Sequence, residues 1–120
     1  MQFLLLLKAD ASLFDPTEVE QVFRGDAHFQ DVRFNTPVDT LIECEYGEPG
    51  DWTLVKLRTD RESIYFSHTW GAALRAVLAI QHGLKVPMRV YNDDYTFDLV
   101  FSDIKTVEEL EVAMENAQTS

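Results

Sequence analysis

The chain has 120 residues, of which 46% are hydrophobic and 12% aromatic, so it can bury a core without disulfides or a structural metal. This composition excludes intrinsic disorder, because a disordered chain has too few apolar groups to offset the entropy lost on folding. Ten Lys and Arg against 21 Asp and Glu give a net charge of −11, which disfavours nucleic acids and membrane surfaces as partners and favours a basic protein. The simpler alternative is that the acidity only maintains solubility. We expect a single domain over residues 1–120.

The first half of the chain predicts one helix among several strands. The apolar run in Gln2–Ala9 is continuous, which is typical of a strand buried on both faces. Asp15 is a suitable N-cap for a helix over Pro16–Arg24, since proline favours the first helical position. Turn-forming residues occur around Pro37 and at Gly47–Asp51. Strands are predicted on either side of these turns, at Val32–Phe34, Leu41–Tyr46, Trp52–Thr59 and Glu62–Ser67.

The second half begins with the most apolar helix, predicted from about Thr69 to Leu84. Its apolar face is wide and includes Trp70, whereas a narrow stripe faces water. A hairpin follows, in which Met88–Tyr91 is the first strand and alternate residues from Tyr95 to Phe101 face the core. The last helix begins at Thr106, a suitable N-cap. In the helix from about Thr69 to Leu84, the stripe that faces water consists of Arg75, Ala79 and His82.

These elements have the order β-α-β-β-β-β-α-β-β-α. Short connections between consecutive strands are typical of antiparallel hairpins. The sequence therefore predicts an α+β fold, in which three helices gather on one face of a mostly antiparallel sheet of about six or seven strands.

No set of residues in the sequence is typical of a catalytic or metal site. His28, His68 and His82 are far apart on different predicted elements, and Cys44 has no second cysteine as a partner. Ser67 and His68 are neighbours on a predicted strand, so their side chains should point to opposite faces. We expect no metal, no cofactor and no enzymatic activity.

A single cysteine indicates a reducing compartment, because no intrachain disulfide can form. The apolar run Phe3–Leu7 is too short for a secretory signal or a membrane helix, and we expect a cytoplasmic protein. Cys44 itself is interpreted as a small buried hydrophobe.

Negative charge is concentrated in three segments. Leu41–Asp51 contains four acids and no base, Asp103–Glu115 contains five acids and one lysine, and Asn92–Asp98 contains three acids. Tyr and Trp side chains in or beside the first and third segments are suited to anchor a partner. The alternative is a solvated acidic surface beside ordinary core aromatics. The candidate partner-binding residues are Glu43, Glu45, Tyr46, Glu48, Asp51, Trp52, Tyr91, Asp93, Asp94, Tyr95 and Asp98.

The segment Pro87–Ile104 follows an Ala- and Leu-rich helix and precedes Thr106–Leu110. In this arrangement the sequence resembles the C-terminal half of small acidic bacterial proteins, among them immunity proteins encoded beside secreted toxins. The resemblance covers about half of the chain and has no diagnostic motif, so no functional residue is taken from it. It implies tight, stoichiometric inhibition of one toxin domain.

These observations favour a non-enzymatic binding protein of the immunity type, whose acidic surface covers a basic surface such as the cleft of a nuclease. Two alternatives stay open. One is an enzyme or small-ligand domain with a pocket near His68, Trp70 and Asp98, and the other is a subunit of a larger assembly. The sequence predicts neither the oligomeric state nor the face that binds.

Overall fold

Three helices cover one face of a seven-stranded sheet in the computed structural model of the chain, which describes residues 3–36 and 39–118. The order of the elements is the predicted one. The helices are α1 (Pro16–Gly25), α2 (Ala72–Leu84) and α3 (Val107–Asn116). The strands are β1 (Leu4–Lys8), β2 (Phe29–Phe34), β3 (Thr40–Glu48), β4 (Asp51–Arg58), β5 (Ile64–Phe66), β6 (Met88–Asn92) and β7 (Asp98–Phe101).

Neighbouring strands in the sheet are all antiparallel, in the order β2-β3-β4-β5-β1-β6-β7. Although β1 comes first in the sequence, it lies between β5 and β6, next to the central strand. The predicted α+β class is therefore confirmed. The predicted turn at Pro37 lies outside the described residues.

The edge strand β2 is irregular. Its pairing with β3 shifts between Gln30 and Arg33, and Asp31 within this interval has a φ of 55°. Such a bulge bends the strand and interrupts its row of outward backbone groups. The edge is therefore poorly suited to pair with a strand of another molecule.

The helix ends are held by side chains whose types favour capping. Asp15 accepts a hydrogen bond from the backbone N–H of Thr17 at 2.9 Å, and Thr106 accepts one from that of Glu109 at 3.2 Å, as its predicted N-cap role requires. The helix α2 begins at Ala72, not near Thr69. Its N-terminus is capped from a distant strand, because the Asp51 carboxylate accepts a hydrogen bond from the Ala72 N–H at 3.1 Å.

The core lies between the sheet and α2. Side chains such as Leu74, Val77 and Ile80 are buried along α2, while the predicted stripe at positions 75, 79 and 82 is only partly buried or exposed. The helix α3 contributes Leu110 and Met114 to the same core. Burial of this continuous apolar cluster is the main stabilisation of the fold.

Two predictions about apolar segments are wrong. Leu4 and Leu6 of β1 are fully buried, but Leu5 and Leu7 are only half-buried, because no helix among the described residues covers their side of the sheet. Trp70 precedes α2 and is 57% exposed, so it does not belong to the apolar face of the helix. Within the described residues no helix is long and apolar enough to span a membrane.

Candidate interaction surfaces

The side of the sheet that faces away from the helices is here called the open face. Residues paired directly across strands point to the same side, so the strand registers define which side chains share this face. One row crosses the whole sheet, with one residue from each strand. In the order of the strands the row is Arg33, Glu43, Lys56, Tyr65, Leu5, Tyr91 and Asp98.

Charges at the β2–β4 end of the open face compensate one another. The Glu43 carboxylate accepts hydrogen bonds from Nε of Arg33 at 3.0 Å and from Nη2 of Arg33 at 2.6 Å. The Lys56 ammonium lies 3.6 Å from the same carboxylate, and Glu45 lies 3.8 Å from Arg33. The hydrogen bond to Glu43 raises the pKa of the Arg33 guanidinium. Two carboxylates and two cations therefore leave this area close to neutral.

The β6–β7 end of the open face contains a second compensated pair. Arg89 donates hydrogen bonds to both carboxylate oxygens of Asp98, at 2.8 and 2.6 Å, and this lowers the pKa of Asp98. The same guanidinium lies over the ring of Tyr91, 5.1 Å from its centroid. Tyr91 stacks on Tyr95, with the ring centroids 4.9 Å apart. Tyr95 is exposed, so the prediction that it faces the core is wrong.

The acids of the β6–β7 turn accept hydrogen bonds from backbone groups and from the Asn92 side-chain amide. Asp93 accepts a hydrogen bond from the Phe3 N–H at 3.4 Å, and Asp94 accepts one from the Asn92 amide at 2.7 Å and one from the Thr96 N–H at 3.3 Å. Both carboxylates thus help to fix the turn. A substitution at either residue would change the turn as well as the charge.

At the β3–β4 hairpin the predicted binding residues have different environments. Tyr46 is 5% exposed and packs on Phe29, so its side chain belongs to the core. Asp51 caps α2 and lies 2.8 Å from Arg75, which lowers the pKa of the Asp51 carboxyl. Glu48 and Trp52 are exposed. Of these four predicted residues, only Glu48 and Trp52 have side chains that are both exposed and free of an internal ion pair in the described part of the chain.

The acidic segment Asp103–Glu115, around α3, has no compensation. Within residues 3–36 and 39–118 no basic nitrogen lies within salt-bridge distance of its carboxylates. Trp70 and Glu115 line one cleft of about 170 Å³, and the exposed Val112 lies on the surface of α3 three residues before Glu115. We call this region the α3 surface. It consists of Trp70, Asp103, Glu108, Glu109, Glu111, Val112 and Glu115.

Two carboxylates of the α3 surface oppose the stability of their own helix. Glu115 lies in the last turn of α3, where the negative end of the helix dipole disfavours an anion. Glu111 precedes it by four residues, and like charges at this spacing repel one another on a helix surface. The sequence count had revealed the excess charge of this segment, but only the structure shows which of the three acidic segments stays unpaired.

Of the residues that could carry nucleophilic chemistry, Ser67 binds a backbone N–H group. Ser67 and His68 follow the end of β5, and Ser67 Oγ lies 2.9 Å from Nδ1 of His68, contrary to the prediction that they point apart. The same hydroxyl accepts a hydrogen bond from the Leu54 N–H at 2.9 Å. Asp98 is separated from this pair by β1 and β6, and neither His68 nor Asp98 lines the cleft beside Trp70.

Cys44 is fully buried on β3, and burial raises the pKa of its thiol to about 12. A thiol with this pKa stays protonated at neutral pH and is a poor nucleophile. In the part of the chain that the structure describes, no three His, Cys, Asp or Glu side chains are grouped closely enough to hold a metal ion.

Comparison with known proteins adds no family to this description. No family model, curated protein or solved structure matches the chain at a significant level. The class of protein is therefore defined by the fold: an α+β domain whose seven-stranded antiparallel sheet is covered on one face. The function has to be argued from the open face and the α3 surface.

Proposed function

We propose that the protein is a non-enzymatic binding protein of the immunity type, which neutralises a toxin domain by covering a basic surface of that domain with the α3 surface. The observation that carries this proposal is the set of five uncompensated carboxylates on and before α3, together with the exposed Val112 on the same helix and the exposed Trp70, which shares a cleft with Glu115.

Charge supports the α3 surface over the other acidic segments. On the open face, Arg33, Lys56 and Arg89 balance three carboxylates through ion pairs. The α3 segment has five carboxylates and only Lys105, a net charge of −4. An uncompensated field of this kind attracts a basic partner and accelerates association, roughly 10–1000-fold at low salt. A nuclease or similar toxin with a cationic cleft has the matching chemistry.

Exposed apolar groups supply anchors within this acidic surface. Val112 is 56% exposed and is flanked on the helix surface by Glu108, Glu109 and Glu115. Trp70 lies beside a cleft with Glu115 on its wall. A tryptophan ring next to a carboxylate suits a lysine or arginine side chain, because the ring face and the anion both attract a cation. Tryptophan also contributes strongly to binding energy at protein interfaces.

The position of the acids on α3 is poorly explained by stability alone. Glu115 at the negative end of the helix and its repulsion from Glu111 both disfavour the folded state. Solubility does not require acids at these two positions, because other exposed positions would serve equally well. Recognition of a cation explains why they occur here.

The resemblance of the C-terminal half to immunity proteins selects one class among the possible basic partners. That class acts by stoichiometric occlusion and needs no catalytic group. We place the protein in the cytoplasm as part of the same proposal, since its single cysteine fits a reducing compartment.

The experiment compares two double charge reversals that are matched in charge, and one position of each lies in the first turn of a helix. Glu108→Lys with Glu115→Lys alters the α3 surface, and Glu18→Lys with Glu62→Lys alters exposed acids elsewhere. Glu108 and Glu18 both lie in the first turn of a helix, so the effect of each reversal on the helix dipole is similar. The probe is the purified product of the gene adjacent to the one that encodes this chain, which the proposal expects to be a basic toxin domain.

We expect the α3 double variant to slow association with this domain on the order of tenfold or more, to flatten its salt dependence and to release its toxicity. The control double variant should change association by less than about threefold, since charges far from a contact are screened at physiological salt. Stopped-flow or biosensor kinetics over a salt series gives both quantities. Equal effects of the two variants, or a complex that is insensitive to salt, would contradict the proposal.

A further inference from the structure

The centre of the open face is apolar, although no described element covers it. The outward side chains of an antiparallel sheet with one solvated face are usually polar. Here β1 is apolar on both sides, and its neighbours β5 and β6 present tyrosines to the same face. A continuous apolar strand is typical of burial on both faces. The half-buried side chains of this centre are Phe3, Leu5, Leu7, Tyr65 and Tyr91.

The charges that flank this centre are balanced. The pairs around Arg33 and Glu43 on one side and the Arg89–Asp98 pair on the other give three cations and three carboxylates. The net charge of −11 therefore lies elsewhere on the chain. A second acidic molecule meets least repulsion at this face, whereas a basic molecule is attracted more strongly to the α3 surface.

We propose that the open face is the interface of a homodimer, in which two sheets pack face to face and form a four-layer α–β–β–α arrangement. The two-fold axis runs between the sheets and parallel to the central strand β5. This rotation places β2 of one copy opposite β7 of the other, β3 opposite β6, and β4 opposite β1, as the strand order requires. Tyr65 then lies next to the axis, and the apolar centres of the two copies cover one another.

The same rotation makes the flanking charges complementary. Arg33 on β2 faces Asp98 on β7 of the second copy, and Glu43 on β3 faces β6, which carries Arg89. Packed sheets lie roughly 10 Å apart with strand directions within about 30°. The β2 end of the row in one copy therefore remains near the β7 end of the row in the second copy. Each internal ion pair would thereby join a larger network of alternating charge at both ends of the interface. Isologous self-complementarity of this kind is the general requirement for a two-fold dimer.

Sedimentation equilibrium of the intact chain over a concentration series tests the dimer. We expect a reversible equilibrium between the 13.8 kDa monomer and a dimer. The dimer should not weaken as salt rises from about 0.05 to 0.5 M, because salt screens both the repulsion between two acidic copies and the attraction between facing ion pairs, and leaves apolar burial intact. A chain that stays monomeric throughout the series, or one that dissociates on adding salt, would overturn the proposal.

Two variants locate the interface. Leu5→Lys places a charge at the centre of the open face and should weaken the dimer at least tenfold, whereas Leu13→Lys at an exposed loop position should have no effect. Circular dichroism verifies that both variants are folded. Equal dimerisation of the two folded variants would exclude the open face.

Cross-linking gives an independent measurement that does not depend on weakening the dimer. Tyr65→Cys places a thiol next to the two-fold axis, and Leu13→Cys is the matched control; Cys44 is buried in both variants and reacts only when its strand opens, so it contributes equally to both. A bis-maleimide that spans the roughly 10 Å between packed sheets should link Tyr65→Cys chains into dimers and leave Leu13→Cys chains single. The reverse outcome contradicts the proposed axis. These residues are separate from the α3 surface, so either proposal can fail without the other.

Discussion

The open face and the α3 surface contain similar acidic side chains in opposite electrostatic states. Glu43 and Asp98 on the open face each bind an arginine within 3.0 Å, whereas Glu115 on α3 has no cation within salt-bridge distance among the described residues. Both segments look acidic when residues are counted along the chain. The two segments differ in whether a cation lies next to each acid, across the strand in the sheet or along the helix in α3. Acidic composition alone therefore does not identify a recognition surface.

The two regions differ because sheets and helices select neighbours differently. In the sheet, Glu43 meets Arg33 and Lys56 from the strands on either side, so residues far apart in sequence compensate its charge. On α3, the nearest surface neighbours lie three or four residues away along the same helix, and α3 itself contains no basic residue. We expect the sheet acids to contribute to stability and the α3 acids to contribute to binding.

The largest effect on stability is expected from the substitution Glu43→Ala. The Glu43 side chain is only 14% exposed, and its removal leaves Arg33 and Lys56 without their common partner. We expect the free energy of unfolding to fall by roughly 1–2 kcal/mol, measured by urea denaturation. The control is Glu45→Ala on the same strand, where the side chain is 39% exposed and 3.8 Å from Arg33. Equal losses at the two positions would show that burial and short hydrogen bonds do not distinguish these acids.

A smaller effect is expected from the Arg89–Asp98 pair, and it depends on pH. The pKa of Asp98 is lower in the folded chain than the roughly 3.9 of an unfolded aspartate, so the unfolded state binds the proton first. The stabilisation is fully present above about pH 5 and is lost as the pH falls through the lowered folded pKa. Asp98→Asn should reduce stability by about 0.5–1 kcal/mol near pH 7 and change it little near pH 2. A loss that is the same at both pH values would contradict the role of the ion pair.

The smallest predicted effect is a gain in stability, whereas the two substitutions above reduce it. Glu115→Gln removes an anion from the C-terminal turn of α3 and relieves its repulsion from Glu111, so the free energy of unfolding should rise by about 0.5 kcal/mol. The same substitution should slow binding to the basic partner. Thermal unfolding and association kinetics on one preparation measure both changes. A variant that is less stable, or that binds as fast as the parent chain, would remove the contrast between the α3 surface and the open face.

Most of the fold could be predicted because its signals are local. Asp15 and Thr106 begin helices where their side chains can cap them, and apolar periodicity reveals the buried face of α2. The order of helices and strands follows from such signals taken one after another. Burial of Cys44 was also predictable, since a lone cysteine in an apolar strand is usually a small core residue.

The parts of the fold and of the candidate site that could not be predicted depend on contacts between residues that are distant in the sequence. Nothing in the local pattern indicates that β1 inserts between β5 and β6, or that Arg33 lies opposite Glu43 across a bulged register. Trp70 appeared to continue the apolar face of α2, but Gly71, with a φ of 60°, separates it from the helix. The predicted binding residues were chosen by charge and aromatic content, and this choice could not reveal which carboxylates had partners.

The burial of Cys44 has a practical consequence for the dynamics of this chain. A thiol that is fully buried and has a pKa of about 12 reacts with alkylating reagents only when its strand opens. The rate of labelling therefore reports how often the core around β3 becomes accessible. Because the chain has no other thiol, a single mass increment measured over time gives this opening frequency without any engineered probe.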